Sequence, residues 1–224
     1  MQGSYLKKVP LFHDFSEEEL KLVNSLVISQ NYRKKMLIFM EGEPGIGMHF
    51  VKSGIVKIYK ISEDGKEQIL HFLREGDIFA EVVLFDGGNY PASAEAVEDC
   101  QVGILRNQDI EQMIVQNPSV GLKMINVMGK KIRAAHATLR NLALKDSFGR
   151  VVATILELAD RHGVETAEGI RINLALSRQD LANYIGSTRE TVTRILTDLK
   201  KSKTIQISSK QIIILDKARL ENWL

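Results

Sequence analysis

The chain of 224 residues carries 30 Lys and Arg against 28 Asp and Glu, a formal charge of +2, with 44% hydrophobic and 26% charged residues. That length suits one large or two modest domains with buried cores, and the near-neutral balance gives no global nucleic-acid signal. No apolar run approaches the ~20 residues of a membrane span, the start MQGSYLKKVPLF lacks a signal-peptide centre, and the single cysteine, Cys100, excludes an internal disulfide, so a cytoplasmic setting is expected.

Residues 14–30 read as a helix. Asp14 or Ser16 can cap it, Glu17–Glu19 suit its N-terminus, and Leu20, Val23, Leu26 and Val27 recur at helical spacing. From about 31 to 106 the texture changes to short strands broken by Gly turns: KMLIFMEG, GMHFVKSG, GIVKIYKI, EQILHFLREG and CQVGIL, with SEDGKE as a hairpin turn. Strands at such regular intervals predict a jelly-roll-like antiparallel barrel. A short helix, NQDIEQMIVQ, stops at Asn117-Pro118. The longest helical pattern follows, over about 119–144. Its apolar positions Ile125, Met128, Ile132, Ala135, Leu139 and Leu142 alternate by three and four, an a/d seam flanked by Lys130, Lys131, Arg133 and Arg140. A stripe this narrow predicts a parallel two-chain seam rather than a helix laid on its own core.

KDSFGRVV then marks a joint, with Asp146 and Ser147 available to cap FGRVVATILELADRHG, and GIRINLALS reads as a strand leading into another helix. Three segments result: an N-terminal β-rich domain over 1–118, a dimerisation helix and hinge over 119–145, and a smaller domain over 146–224. Charge is uneven between them. Residues 150–224 hold twelve Lys and Arg against nine Asp and Glu, and within 186–210 six basic residues (Arg189, Arg194, Lys200, Lys201, Lys203 and Lys210) face two acidic ones (Glu190 and Asp198). A local basic patch in a near-neutral chain is the footprint of an anion-binding face.

The segment LSRQDLANYIGSTRETVTRILTDLKK carries the most specific signal. Ser177 with Asp180 forms a capping pattern, Leu181, Ala182 and Ile185 give one apolar face, and Gly186 ends the helix. Ser187 or Thr188 caps a second helix with apolar Val192, Ile195, Leu196 and Leu199. Two helices joined by a tight Gly turn form a helix-turn-helix, and TIQISSKQIIIL behind it reads as a hairpin wing. The second helix sets Arg189, Glu190, Thr193 and Arg194 on its exposed N-terminal half, where a recognition helix meets base edges.

These residues, together with the β-rich domain and the long helix, resemble the CRP/FNR superfamily of transcription regulators over nearly the whole chain. The resemblance implies an α+β architecture: a cyclic-nucleotide-binding-type β-roll (jelly roll), a long dimerisation helix and a C-terminal winged helix-turn-helix. It implies a homodimer on double-stranded DNA, with RNA polymerase as a further partner reached through His162–Gly169. Arg189 and Arg194 would donate to guanine and Glu190 would accept from cytosine N4. Arg178, Gln179, Thr188 and Thr191 would contact phosphates and set register. The Arg-Glu…Arg order is similar to the cyclic AMP receptor branch, so the expected target is a palindrome of TGTGA-like half-sites about 34 Å apart, one DNA turn.

The same resemblance makes FAEVVLFDGGNYPASAEA, residues 79–96, the phosphate-binding cassette, with GEPG (42–45), Gly54 and GDIF (76–79) as β-roll turns. Glu81 matches the glutamate that accepts the ribose hydroxyl. Pro91 stands where an arginine should meet the cyclic phosphate, Ala92 and Ser93 follow it, and Ala80 replaces a Gly. Ala135 and His136 stand where hydroxyl residues would meet the base. A proline supplies neither charge nor N–H, and burying an unpaired phosphate costs several kcal/mol. Cyclic AMP is therefore not the expected ligand, and no cofactor is expected.

Three readings of the pocket follow: a different small-molecule effector, a vestigial site, or a redox or gas sensor. Iron–sulfur ligation lacks cysteines, and haem would require His71, His49 or His136. An enzyme is disfavoured because the five histidines (13, 49, 71, 136, 162) form no H-x-H or H-x-x-x-H pair, and neither a G-x-S-x-G elbow nor a Walker loop occurs. A protein-interaction module with a degenerate helix-turn-helix is the reading of another class.

Overall fold

The computed structural model describes residues 5–144, 146–208 and 211–224, and leaves aside the side chains of 134 and 137–144. It divides into two compact units, Met1–Arg133 and Ala134–Leu224. In the first, a 3-10 turn at Leu6–Lys8 precedes α1 (Glu17–Leu26), where Ser16 Oγ accepts from the Glu19 amide at 3.2 Å and Glu19 Oε2 accepts from the Ser16 amide at 2.7 Å. This reciprocal cap satisfies two otherwise orphaned donors. The helix is shorter than its apolar spacing predicts. Val27 is its C-cap, and Ile28 starts β1 (Ile28–Tyr32), because those residues pair with Cys100–Ile104 and a sheet edge outcompetes local helical preference.

The chain continues through β2 (Leu37–Phe39), β3 (Gly47–Ser53), β4 (Val56–Ile61), β5 (Glu67–Leu73), β6 (Ile78–Phe79), α2 (Val82–Asp86), β7 (Ser93–Ala96) and β8 (Cys100–Arg106). Two antiparallel four-stranded sheets result, ordered β1-β8-β3-β6 and β2-β7-β4-β5. This is the expected β-roll. The two-residue alternation of strands separates its cores. Val102 and Ile104 of β8 and Val51 of β3 join Phe39, Val56, Phe79 and Tyr90, whereas Leu105, Met48 and Phe50 turn toward Phe12, Leu20 and Val23. Gly103 makes one of these contacts feasible, since a Cβ there would lie 2.2 Å from the Phe50 ring.

The helices α3 (Asn107–Gln116) and α4 (Pro118–Leu144) complete this unit and lead out of it. Asn117 bonds both ways at the joint, donating to Glu19 Oε1 at 2.6 Å and accepting from the Ser119 hydroxyl at 2.7 Å, while Pro118 opens the next helix. The α4 helix has two apolar faces. Val120 and Met124 are buried in the β-roll's helical core, with Val127 and Met128 packed partly against it. Leu122, Ile125 and Ile132 are exposed at 66, 64 and 57%. Met128 thus leans on its own unit, unlike the other seam positions with described side chains, and Ala135 is exposed. The side chains of Leu139 and Leu142 lie outside the described residues.

The second unit contains α5 (Ser147–His162), β9 (Gly163–Thr166), β10 (Gly169–Ile172), α6 (Arg178–Ile185), α7 (Arg189–Lys201), β11 (Ile205–Ser208), β12 (Gln211–Ile214) and α8 (Lys217–Glu221). Asp146 caps α5, its Oδ1 accepting from the Gly149 amide at 2.8 Å. One sheet runs β11-β12-β10-β9. Val152, Ile155 and Leu158 of α5 are buried, as are Leu181 and Ile185 of α6, Val192 and Leu196 of α7, and Ile205 and Ile214 of the wing. Every one of these was legible as an apolar position. The β9 strand was not, because GVET reads as loop and gains its structure from pairing with Gly169–Ile172.

Candidate functional site: a helix-turn-helix face and the β-roll cassette

The α6 helix begins at a capping box. Ser177 Oγ accepts from the Asp180 amide at 3.0 Å, and Asp180 Oδ2 accepts from the Ser177 amide at 2.8 Å. Gly186 ends it in the left-handed region, φ 69° and ψ 49°, which a residue without Cβ adopts at little cost. Thr188 then caps α7, its Oγ1 accepting from the Thr191 amide at 3.2 Å and donating to Thr191 Oγ1 at 3.0 Å. Thr188's proton is thereby used locally, and the proton of Thr191 is the one left to meet an outside acceptor.

Burial decides which way α7 faces. Val192, Ile195, Leu196 and Leu199 are each at most 2% exposed, while Arg189, Glu190, Thr193, Arg194 and Thr197 stand in solvent. Among the described residues, no ion pair or side-chain hydrogen bond engages the charged groups of Arg189, Glu190 or Arg194. A cleft of about 460 Å³ adjoins this face, lined by Leu176, Ser177, Arg178, Gln179, Arg189 and Ile207. It gathers the N-terminus of α6, the first residue of α7 and a wing residue. Partial burial lowers the pKa of the half-exposed Arg178, and the Gln179 amide donates to Asn183 Oδ1 at 2.8 Å. The cleft thus places the guanidinium groups of Arg178 and Arg189 beside the first turn of α6, an arrangement whose charge suits an anion. Of the phosphate-contact residues predicted from sequence, Arg178 and Gln179 line this cleft, and Thr188 and Thr191 sit together at the start of α7.

The β-roll cassette is arranged differently. Ala80 takes φ 56°, the left-handed conformation that disfavours a Cβ. Glu81 follows as the N-cap residue of α2, and Gly87 at φ 63° ends that one-turn helix. Asp86 Oδ1 accepts from the Gly88 amide at 2.9 Å and the Gly88 carbonyl accepts from the Gly45 amide at 3.2 Å, pinning the turn. Tyr90 stacks on Phe39 with centroids 3.8 Å apart. His49 packs edge-on against Phe39 and near Phe79, and burial holds its imidazole down at about 4 while Nδ1 meets the Gly47 carbonyl at 3.0 Å. Pro91 is exposed, Ala92 is buried, and the buried Ser93 hydroxyl accepts from the Glu41 amide at 2.9 Å.

The residue that sequence reasoning missed is Lys131. It read as a polar flank of the seam, yet its Nζ donates to Glu81 Oε1 at 2.7 Å and to the Ile78 carbonyl at 2.9 Å. Glu81 is only 15% exposed in this pair. The cassette therefore has a cation, supplied by α4 and already bound to Glu81. A helical position eleven residues beyond Val120 returns to the same face, which is the signal that could have found it. Ala135 and His136 are exposed and belong to the second unit. The three histidines considered for haem sit on β3, β5 and α4, and no group of three or more His, Cys, Asp or Glu among the described residues is placed to hold a metal. Burial, aided by Glu98 and Asp99, pushes the Cys100 thiol up to about 11, the reverse of a reactive thiolate.

Comparison with known proteins agrees with both halves. Residues 29–117 match a cyclic nucleotide-binding domain, and residues 149–223 match a Crp-like helix-turn-helix domain. The chain is 31% identical over 216 residues to the anaerobic regulatory protein of Bacillus subtilis, covering 96% of this chain and 91% of that one. It is 30% identical to a CRP-like cAMP-activated global transcriptional regulator of Mycobacterium tuberculosis, covering 82% of each chain. The structure of FixK2 from Bradyrhizobium japonicum superposes with a TM-score of 0.77 at 29% identity, over 88% of this chain and 96% of that one. No helix among the described residues is long and apolar enough to cross a membrane. The chain belongs to the CRP/FNR family of transcription regulators, with a cyclic-nucleotide-binding-type β-roll followed by a DNA-binding helix-turn-helix.

Proposed function

We propose that the protein is a cytoplasmic homodimeric regulator that reads a palindrome of TGTGA-like half-sites through α7. The observation that carries this reading is the sidedness of that helix: four apolar residues are buried, and Arg189, Glu190 and Arg194 face solvent with their charged groups uncommitted. Arg189 and Arg194 then donate to guanine O6 and N7, and Glu190 accepts from cytosine N4. Arg178, Gln179, Thr188 and Thr191 hold phosphates and fix register. The exposed Leu122, Ile125 and Ile132, extended by Ala135, support a two-chain seam, because a row of large apolar groups on one helix face is stable only when covered. RNA polymerase is the further protein partner, met through the β9–β10 hairpin.

The β-roll does not respond to cyclic AMP in this reading. Lys131 occupies Glu81, and Pro91 provides no phosphate cation. The regulator works without a ligand or with a different small effector. Fluorescence anisotropy at fixed salt tests the base-reading assignment. Arg189→Ala or Arg194→Ala should weaken binding to the palindrome by about 1–3 kcal/mol per half-site while leaving affinity for a scrambled duplex nearly unchanged. Equal losses on both duplexes would reassign these arginines to the phosphate backbone. Addition of cyclic AMP should leave the wild-type curve in place, and a large enhancement would refute the pocket reading.

A further inference from the structure

The exposed face of α7 also holds Thr193 and Thr197, which a tally of charge passes over. They lie four residues apart, and Thr193 lies four beyond Arg189, so the helical period sets all three on one side. Each threonine turns its hydroxyl back into its own helix. Thr193 Oγ1 donates to the Arg189 carbonyl at 2.7 Å, and Thr197 Oγ1 donates to the Thr193 carbonyl at 2.8 Å. That bond fixes the rotamer of a side chain with two heavy atoms on Cβ. With the oxygen held by the helix backbone, the γ-methyl is the group that each of these exposed residues has left to offer a partner.

A methyl cannot read donors or acceptors. In the major groove the one apolar mark on a base edge is the 5-methyl of thymine. We propose that Thr193 and Thr197 form a methyl stripe that selects thymine through its 5-methyl group, beside the polar readout of the two arginines and the glutamate. The inference rests on α7 being the base-reading helix and names a specificity that the charged residues do not supply.

The full-length protein first selects duplexes from a randomised pool. Each thymine of one selected half-site is then replaced in turn by deoxyuridine, which deletes only the methyl group. At a subset of positions binding should weaken about fourfold, the effect of one buried methyl. Thr193→Ser or Thr197→Ser should bind the thymine duplex about fourfold more weakly and lose the uracil effect at the one position its methyl reads, and the double serine variant should lose it at every position. Thr193→Val and Thr197→Val, which keep a methyl and shed the hydroxyl, should retain the distinction; far-ultraviolet circular dichroism confirms that each variant is folded. Tolerance of deoxyuridine at every position, a double serine variant that still discriminates, or valine variants that lose discrimination would each overturn the stripe. Arg189→Ala on the same duplexes separates the two layers. If it abolishes sequence preference while uracil is tolerated throughout, only the stripe fails. If it leaves sequence preference intact, the base-reading role of α7 fails, and the stripe with it.

Discussion

Two turns of this chain are built on a left-handed residue and end in opposite states. At the helix-turn-helix the residue is Gly186, φ 69°, and the charged groups just beyond it stay uncommitted. At the β-roll cassette it is Ala80, φ 56°, and the carboxylate just beyond it is bound by Lys131. The first turn tolerates its conformation freely, whereas the second carries a steric cost of about 1–2 kcal/mol. A surface meant for a charged partner keeps its donors available and meets desolvation only on binding. A pocket that has satisfied its own charge has less to offer a ligand, because any anion must first displace an ion pair already in place.

The largest break in this contrast should come from the proposed two-chain seam on α4. Ile125→Asp with Ile132→Asp puts charge on the exposed α4 face; the dimer should dissociate in sedimentation analysis and palindrome affinity should fall about 10³-fold, the loss of avidity between two linked sites. A single half-site duplex should be affected far less.

The inward commitment of the β-roll should also show in acid. His49 is held at about 4 by burial, against an ordinary 6.5. The unfolded chain takes up a proton at the higher pH and the folded chain only at the lower. Stability is therefore full above pH 6.5 and falls as pH drops toward 4, by roughly 3 kcal/mol from this group. Denaturant titrations at pH 7 and 4 check this, and His49→Phe should remove that part of the slope.

Restoring a ligand site is a smaller change. Pro91→Arg and Ala92→Ser put back a cation and a hydroxyl, and Lys131→Ala releases Glu81. The triple variant should bind cyclic AMP at least about tenfold more tightly than the wild type in calorimetry, the effect of one charge-assisted hydrogen bond. If the double variant without Lys131→Ala does as well, the ion pair is not what closes the pocket. The smallest effect is expected from Ala80→Gly, which relieves the left-handed alanine and should raise stability by up to about 1 kcal/mol in thermal unfolding.

Much of the site was legible because its residues act locally. Ser177, Asp180, Gly186 and Thr188 cap and turn through bonds spanning three or four residues, and the period of Val192, Ile195, Leu196 and Leu199 leaves the arginines outside. Segments whose structure comes from distant partners were harder. The helical spacing runs past Ile28 into β1, whose partner is Cys100–Ile104, and the very short β6 (Ile78–Phe79) and β7 (Ser93–Ala96) take their structure from strands far away in the chain. The seam shows the same limit. Its spacing placed Ile125 and Met128 together, while packing puts Met128 partly on the β-roll core and leaves Leu122 exposed beside Ile125.

The amino-acid sequence by itself determined the β-rich character of the N-terminal part, the helix-turn-helix with its outward charges, and the absence of an arginine from the cassette, since each follows from short-range periodicity, capping and residue identity. Only the tertiary structure decided that a cation reaches the cassette after all. Lys131 lies fifty residues from Glu81 along the chain, and their 2.7 Å contact exists because α4 folds back over the β-roll. Chain order carries no information about such a meeting. It is set by which face of α4 the apolar core of the β-roll buries.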